Sequence, residues 1–294
     1  HRNYVDRQID KAVNDSVATG PRAQWTKTSF DSLPAKCKYI YTEPTLRPFD
    51  LCPTLVVHAA MAMGKTKALK QHLDTYFARG VNDPVIRFVS FRQTFSSTIK
   101  SSFADFTLYN EVRGPLDQTR LIVQVESLYK LVLQAEPPDL LILDECESIF
   151  EQFDSGLLKD NFNEGFAKFK YLMKYSKHVI LMDALISDRT YRILMRMRPD
   201  FTSPDHMRYH HNIYKNSTDK QYFFTGDKMK WLAELHYAID AGDKVAIPIS
   251  SLTEAKALAH GLGVKYPRKK IWLYSSETPP SEQRLHFSNV DTYW

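Results

Sequence analysis

Gly64-Lys65-Thr66 closes the stretch HAAMAMGKTKALKQH, and Asp144-Glu145 ends the apolar run LLIL further along the chain. Gly-Lys-Thr is the tail of a phosphate-binding loop. In such a loop backbone N–H groups curl around phosphate oxygens, and the following helix presents its positive end to them. The lysine reaches the β- and γ-phosphates while the hydroxyl that follows binds magnesium. The candidate cradle is Ala60, Met61, Ala62, Met63, Gly64, Lys65, Thr66 and Lys67. Ala59 stands where the GxxxxGK[ST] pattern has its first glycine, so glycine's freedom at positive φ is lost there. Asp144, at the end of a buried strand, could hold magnesium together with Thr66. Glu145 could polarise an attacking water. Taken alone, each signal has a plainer reading: a helix start that spells GKT, and an acidic helix cap. Their order and separation, with room for α/β units between them, make Lys65, Asp144 and Glu145 the candidate catalytic set and Mg-ATP the candidate ligand.

Other constellations carry less chemistry. DHMRYHHNIYKN brings His206, His210 and His211 close to Asp205, and His206 and His210 would share a face only if helical. No glutamate lies between them in the HExxH sense, and the segment reads as a linker. MRMRPD and YPRKK read as solvated basic faces, and Phe166, Phe169 and Met173 as core at helical spacing. A base-reading Asn-Lys-x-Asp segment and an LSGGQ-like signature are both absent from the sequence, which argues against GTPases and ABC-type ATPases. Translocases and helicases remain.

The elements that must position these groups alternate. TLVVHA is a short strand before the loop, and KTKALKQHLDTYFARG is an amphipathic helix that Gly80 could cap. VIRFVSF, RLIVQV, DLLILDE and HVILMDA read as further apolar strands. ESLYKLVLQ, FNEGFAKFKYLMKYS and SDRTYRILMRM read as helices between and after them. Strands that are apolar almost throughout need burial on both faces, so the pattern predicts α/β architecture with a parallel sheet flanked by helices. We expect an N-terminal extension over 1–38 with a helix in VDRQIDKAVND, a first domain over 39–199, a linker over 200–218 and a partial second domain over 219–294. In that second domain the helices KWLAELHYAIDAG and LTEAKALAHGLG alternate with the strands KVAIPIS and KIWLYSS.

The 294 residues, 43% hydrophobic and 25% charged, suit a soluble globular protein of about two domains. No apolar run approaches the roughly 18 to 20 residues of a membrane span, and no signal peptide pattern opens the chain. The three cysteines form no CxxC pair or disulfide framework, favouring a reducing, intracellular setting. A net charge of +5 permits a polyanionic partner without requiring one.

AAMAMGKT, FRQTF, QVESLYKL, LILDECESI and LMDALISDRT, in that order, resemble motifs I, Ia, Ib, II and III of superfamily 2 helicases. They are most similar to the herpesvirus-type replication-origin-binding helicase family, with GDKVAIPISSLTEAKALA and IWLYSSETPP resembling its next segments. The likeness covers about residues 40 to 294. It implies a RecA-like P-loop NTPase domain followed by a partial second RecA-like domain. It also implies an ATP- and magnesium-dependent motor of DNA replication, with single-stranded or forked DNA and replication proteins as partners. Its site would be the nucleus or a cytoplasmic viral replication site. Residue by residue, Lys65 and Thr66 would serve phosphate and magnesium, and Asp144 and Glu145 magnesium and water. Asp183 would couple the nucleotide site to the strand site. Arg92, Thr94 and Ser127 would contact the phosphates of a single strand. The family usually has Met-Gly-x-Gly-Lys-Thr, and here Ala62 replaces the extra glycine. It also has later motifs V and VI that supply a transition-state arginine, commonly worth about three to five powers of ten in rate. NVDTYW resembles the lead-in to motif V, so this stretch alone is expected to bind nucleotide better than it hydrolyses it. Two other readings stay open: a nucleotide-gated origin-binding or scaffold module, and a P-loop ATPase that remodels protein.

Overall fold

The structure, a computed structural model, describes residues 29–78, 83–153, 161–214, 224–275, 277–279 and 281–282. The chain divides into two compact units, His1–Thr218 and Asp219–Trp294. The first is built on one sheet of eight strands. They are β1 (Lys38–Tyr41), β2 (Thr54–Ala59), β3 (Ile86–Ser90), β4 (Thr107–Leu108), β5 (Arg120–Gln124), β6 (Leu140–Asp144), β7 (His178–Asp183) and β8 (Met207–Asn212). Across the sheet they run β1-β8-β2-β7-β6-β3-β5-β4, and every pairing is parallel. The connecting helices are α1 (Lys65–Ala78), α2 (Gln93–Ser102), α3 (Cys146–Gln152), α4 (Phe162–Tyr175) and α5 (Asp188–Met197).

Strand periodicity sorts the apolar side chains into two cores. Val56, Leu141, Leu143, Val179 and Leu181 face α3, α4 and α5 through Ile149, Phe150, Phe169, Leu172 and Leu194. Their alternates, Leu55, Val57, Leu140, Ile142 and Ile180, face α1 and α2 through Leu69, Leu73 and Ile99. With Leu69 and Leu73 almost wholly buried, each contributes about 1.5–3 kcal/mol against exposure. Starts and stops follow local chemistry. Ser187 Oγ accepts from Arg189 N to begin α5. That helix ends at Arg198, whose buried guanidinium donates to the carbonyls of Pro53, Met173, Lys174 and Lys177 and to Thr54 Oγ1. It thereby pins the N-terminal ends of β2 and β7 to α4.

Several elements differ from expectation. Residues 207–212, expected within a linker, form β8, which lies between β1 and β2. MRYHHN gave no apolar alternation, because its buried polar groups are satisfied by partners distant in sequence. His210 Nε2 pairs with Asp50 Oδ2 at 2.9 Å, and Asn212 bonds the backbone of Glu43 and Thr45. The expected N-terminal extension enters the core from Phe30 onward. Phe30 stacks on Tyr209 at 4.5 Å and meets Tyr191 edge-on at 5.3 Å. Lys38 already opens β1. The helix expected at ESLYKLVLQ is a short 3-10 turn, Val125–Lys130, which then closes by a bridge between Leu131 and Leu116. Helix α2 was not anticipated, since its Ser- and Thr-rich sequence has weak intrinsic preference for helix. The helix expected in VDRQIDKAVND and the Gly80 cap fall outside the described residues.

In the second unit the described residues hold two helices, α6 (Lys228–Ala241) and α7 (Leu252–Lys265), and no strand. Asp227 caps α6 and Gly242 ends it at φ 89°, while Ser251 caps α7. Among the described residues of KVAIPIS and KIWLYSS the expected strands are not formed. A strand of this apolar kind needs both faces covered, and these helices bury only Leu235 and Leu262. No helix among the described residues is long and apolar enough to cross a membrane.

Candidate nucleotide-binding site

A parallel sheet gathers the loops that follow its strands along one rim, where open α/β sheets bind ligands. Here β7 lies between β2 and β6, with His58 in register with Asp183 and Asp144 with Met182. The phosphate-type loop after β2, Asp183 and Asp144-Glu145 therefore end three adjacent strands, side by side. Lys65 lowers the pKa of both Asp144 and Glu145, so their charges sense one another.

The loop turns from β2 into α1 through two left-handed residues, Ala62 at φ 61° and Gly64 at φ 80°. Glycine adopts this conformation freely, whereas an L-residue such as Ala62 pays about 1–2 kcal/mol for it. The position where the resembling family has glycine is thus one where this backbone demands it. Met63 is buried and anchors the loop, while Met61, Ala62, Gly64 and Lys67 are exposed and Ala60 and Thr66 half-buried. Lys65, only 8% exposed, donates through Nζ to Ala59 O at 3.0 Å and Ala60 O at 3.4 Å. In this state the ammonium satisfies the carbonyls of its own loop.

The acidic side is crowded. Burial, reinforced by Glu145 and opposed by Lys65, pushes the Asp144 carboxyl up to about 7. Burial and the nearby Asp183 raise Glu145 as well. Glu145 is itself left-handed at φ 58°, and its N–H donates to Asp144 Oδ1 at 3.1 Å. Such strain at a non-glycine residue costs on the order of 1–3 kcal/mol and concentrates at functional sites. Carboxyls raised first by burial and then by neighbouring acids fit a divalent cation. Among the described residues no three His, Cys, Asp or Glu side chains form a closed metal cage. Magnesium suits a sparser set, since it keeps several waters and is held by one or two carboxylates plus substrate phosphates. Asp144 and the Thr66 hydroxyl could supply that set.

Asp183 has both oxygens engaged: Oδ2 accepts from Glu147 N at 2.8 Å and Oδ1 from Leu185 N at 2.9 Å. Sequence reasoning missed Glu147. Its Oε1 accepts from Ser187 N and Ser187 Oγ, both at 2.8 Å, and from Thr190 Oγ1. Its Oε2 takes a forked pair from Arg189, with Nε at 3.1 Å and Nη2 at 2.7 Å. Burial pushes the Glu147 carboxyl up, but these donors outweigh it and the net shift is downward. One residue thus ties LILDECESI to LMDALISDRT. The only hint in the sequence was an acid two places after Glu145.

Arg92, Thr94 and Ser127 follow β3 and β5, on the far side of β6 from the loop but on the same rim. Arg92 is exposed, its guanidinium 5.2 Å from the Phe91 ring centroid, and Thr94 lies in the first turn of α2. Ser127, in the 3-10 turn, is only 9% exposed, so its hydroxyl offers little surface to a strand. The expected groups therefore fall into one cluster at the ends of β2, β7 and β6 and a separate exposed arginine along the rim.

Comparison with known proteins agrees with this architecture. Residues 44–203 match the family model described as origin of replication binding protein. The chain is 42% identical over 295 residues to a protein of African swine fever virus (strain Badajoz 1971 Vero-adapted) named for a helicase/primase complex, covering 99% of this chain and 27% of that protein. It is 31% identical over 235 residues to the replication origin-binding protein of human herpesvirus 6A (strain Uganda-1102), covering 76% and 29%. The chain thus spans roughly a quarter of the length of these relatives. In fold it is similar to an S. cerevisiae Dbp5 variant bound to RNA and ADP BeF3, with TM-score 0.54 and 15% identity over 83% of this chain and 64% of that one. The sheet is accordingly a RecA-like helicase-type domain. With the motif order, the rim geometry and the match over residues 44–203 in agreement, the chain belongs to the origin of replication binding protein family.

Proposed function

We propose that this chain carries the nucleotide-hydrolysing half of an ATP-dependent DNA translocase that acts in replication. The observation that carries the reading is that the Lys65 loop and the Asp144-Glu145 pair follow β2 and β6 on one rim, with only β7 between them, and that Lys65 acts electrostatically on both carboxyls. The backbone N–H groups of 60–64 and the positive end of α1 would hold the phosphates. Lys65 would exchange the carbonyls of Ala59 and Ala60 for β- and γ-phosphate oxygens. Asp144 and Thr66 would hold magnesium, which when bound neutralises charge developing on the phosphates. Glu145 would take a proton from the attacking water, and burial and Asp183 raise its pKa in the direction that makes it a better base. Asp183 would report the state of this site to the loop 184–187. Exposed Arg92, with Thr94 and the largely covered Ser127, would meet a single strand through its phosphates rather than its bases.

Ala62 favours a second reading, a nucleotide-gated origin-binding module that binds without efficient turnover. A strained loop whose lysine is already satisfied gives up affinity to reorganise. ATP hydrolysis measured with and without single-stranded DNA separates the two. It should be run on this chain and on a version extended past Trp294, each beside Lys65→Ala. Turnover that depends on Lys65 and rises with DNA supports the motor. An extended protein that binds ATP without Lys65-dependent turnover supports the module, and turnover indifferent to DNA points to a protein-remodelling ATPase.

A further inference from the structure

Helix α3 begins at the residue after Asp144-Glu145 and ends at Gln152, which the nucleotide site itself does not use. Gln152 Nε2 donates to Glu126 Oε1 at 2.5 Å. Glu126 belongs to the turn Val125–Lys130 after β5 and directly precedes Ser127. An ionised carboxylate only accepts, so the amide nitrogen is the group that faces it. The other oxygen, Oε2, is buried and has no hydrogen-bond partner among the described residues. Gln152 therefore carries the compensation of a half-satisfied carboxylate, and an unpaired buried oxygen of this kind calls for a functional reason.

The two ends of α3 stand over different strands. β3 lies between β6 and β5, and neighbouring strands are about 4.8 Å apart, so about 10 Å separates the outer two. Seven helical residues at about 1.5 Å each span the same distance. The helix thus crosses over β3, where Ile149 and Phe150 share one core with Leu143 of β6, Val89 of β3, Val123 of β5 and Leu128 of the turn. Its first turn is fixed to the loop after β7, with Glu147 N on Asp183 and the Glu147 carboxylate on Ser187, Arg189 and Thr190. Packed below and bonded at both ends, α3 moves as a unit. We infer that Gln152 is a positioning residue that transmits displacements of Asp144-Glu145 to Glu126, coupling the nucleotide site to the turn that carries Ser127. This rests on the proposed function above, which puts nucleotide at one end of α3 and a single strand at the other.

The test uses the chain extended past Trp294. It compares wild type with Gln152→Ala, Gln152→Glu, Glu126→Gln and the exchange of both, Glu126→Gln with Gln152→Glu. The readout is the Kd of a fluorescent oligothymidylate with and without a saturating non-hydrolysable ATP analogue and magnesium. Thermal unfolding and the Kd of the analogue alone are measured beside it. The ratio of the two strand Kd values is the coupling, expected to be about 10-fold in wild type. Gln152→Ala and Gln152→Glu should shrink that ratio at least 3-fold, with the analogue's own Kd within about 3-fold of wild type. Glu126→Gln keeps an acceptor for Gln152 and should stay close to wild type. The exchange re-forms the bond with donor and acceptor reversed and should restore the ratio, which a merely structural defect would not. It also decides the matter if Gln152→Ala unfolds. A ratio that shrinks less than 3-fold in both Gln152 variants, or a loss that the exchange leaves unrestored, would overturn the inference. So would Lys65-dependent turnover in a wild type whose strand Kd ignores the analogue, an outcome that leaves the ATPase reading intact. A wild type without Lys65-dependent turnover would remove both.

Discussion

Asp144→Asn should make the nucleotide-free protein more stable, and only at the pH values where the carboxyl would otherwise be charged. The side chain is 3% exposed, and burial with the repulsion of Glu145 raises its pKa from 3.8 to about 7. A carboxyl raised in the fold binds more protons folded than unfolded, so its contribution to stability falls as pH rises from about 4 to about 7 and then levels off. At roughly 1.4 kcal/mol per pKa unit, the penalty lifted by asparagine grows from under about 1 kcal/mol near pH 4 to roughly 4 kcal/mol above pH 7. For a unit of this size each kcal/mol moves Tm by about 2–4 °C, which gives a gain on the order of 10 °C at pH 8. Thermal and urea unfolding in EDTA at pH 4.5 and pH 8 would measure both ends. Adding Mg-ATP should then stabilise the wild type and leave Asp144→Asn nearly unmoved, because a ligand stabilises only the state that binds it. A gain of equal size at both pH values, or a loss at pH 8, would refute the reasoning from burial and charge.

Ala62→Gly should relieve the left-handed strain, offset in part by glycine's freedom in the unfolded chain, for a net gain below about 1 kcal/mol. Titration with a fluorescent ATP analogue should show affinity raised by a few fold, and unchanged affinity would mean that the loop is already relaxed. Glu147→Gln should cost about 2–4 kcal/mol at pH 7 in urea melts, since it loses the forked pair with Arg189 and turns an amide N–H toward donors. The Glu147 pKa is lowered in the fold, so the wild-type advantage is present above the usual carboxylate range and fades as pH falls through it. Arg198→Met should destabilise by about 3 kcal/mol or more, because it removes the buried donors to the Met173 and Lys177 carbonyls and to Thr54 Oγ1 at the end of the sheet opposite the site. Its nucleotide affinity, measured below the new Tm, should stay near wild type.

The parts of this protein legible in its sequence are those set by short-range chemistry. TLVVHA, DLLILDE and HVILMDA are apolar enough to demand burial on both faces, so β2, β6 and β7 could be read directly. SDRTYRILMRM carries its own cap in Ser187, and Gly64-Lys65-Thr66 with Asp144-Glu145 stood out as the residues now proposed for the nucleotide site. Tertiary structure decided what depends on partners far along the chain. MRYHHN could not announce itself as β8, because His210 and Asn212 are tolerable inside a sheet only where Asp50 and the backbone of residues 43–45 meet them. Glu147 is one acid among many until Ser187, Arg189 and Thr190 close on it. The insertion of β7 between β2 and β6 has the same origin. Local propensity determines which residues are extended, but only the packing of helices on both faces determines which strands become neighbours, and so which side chains share a site.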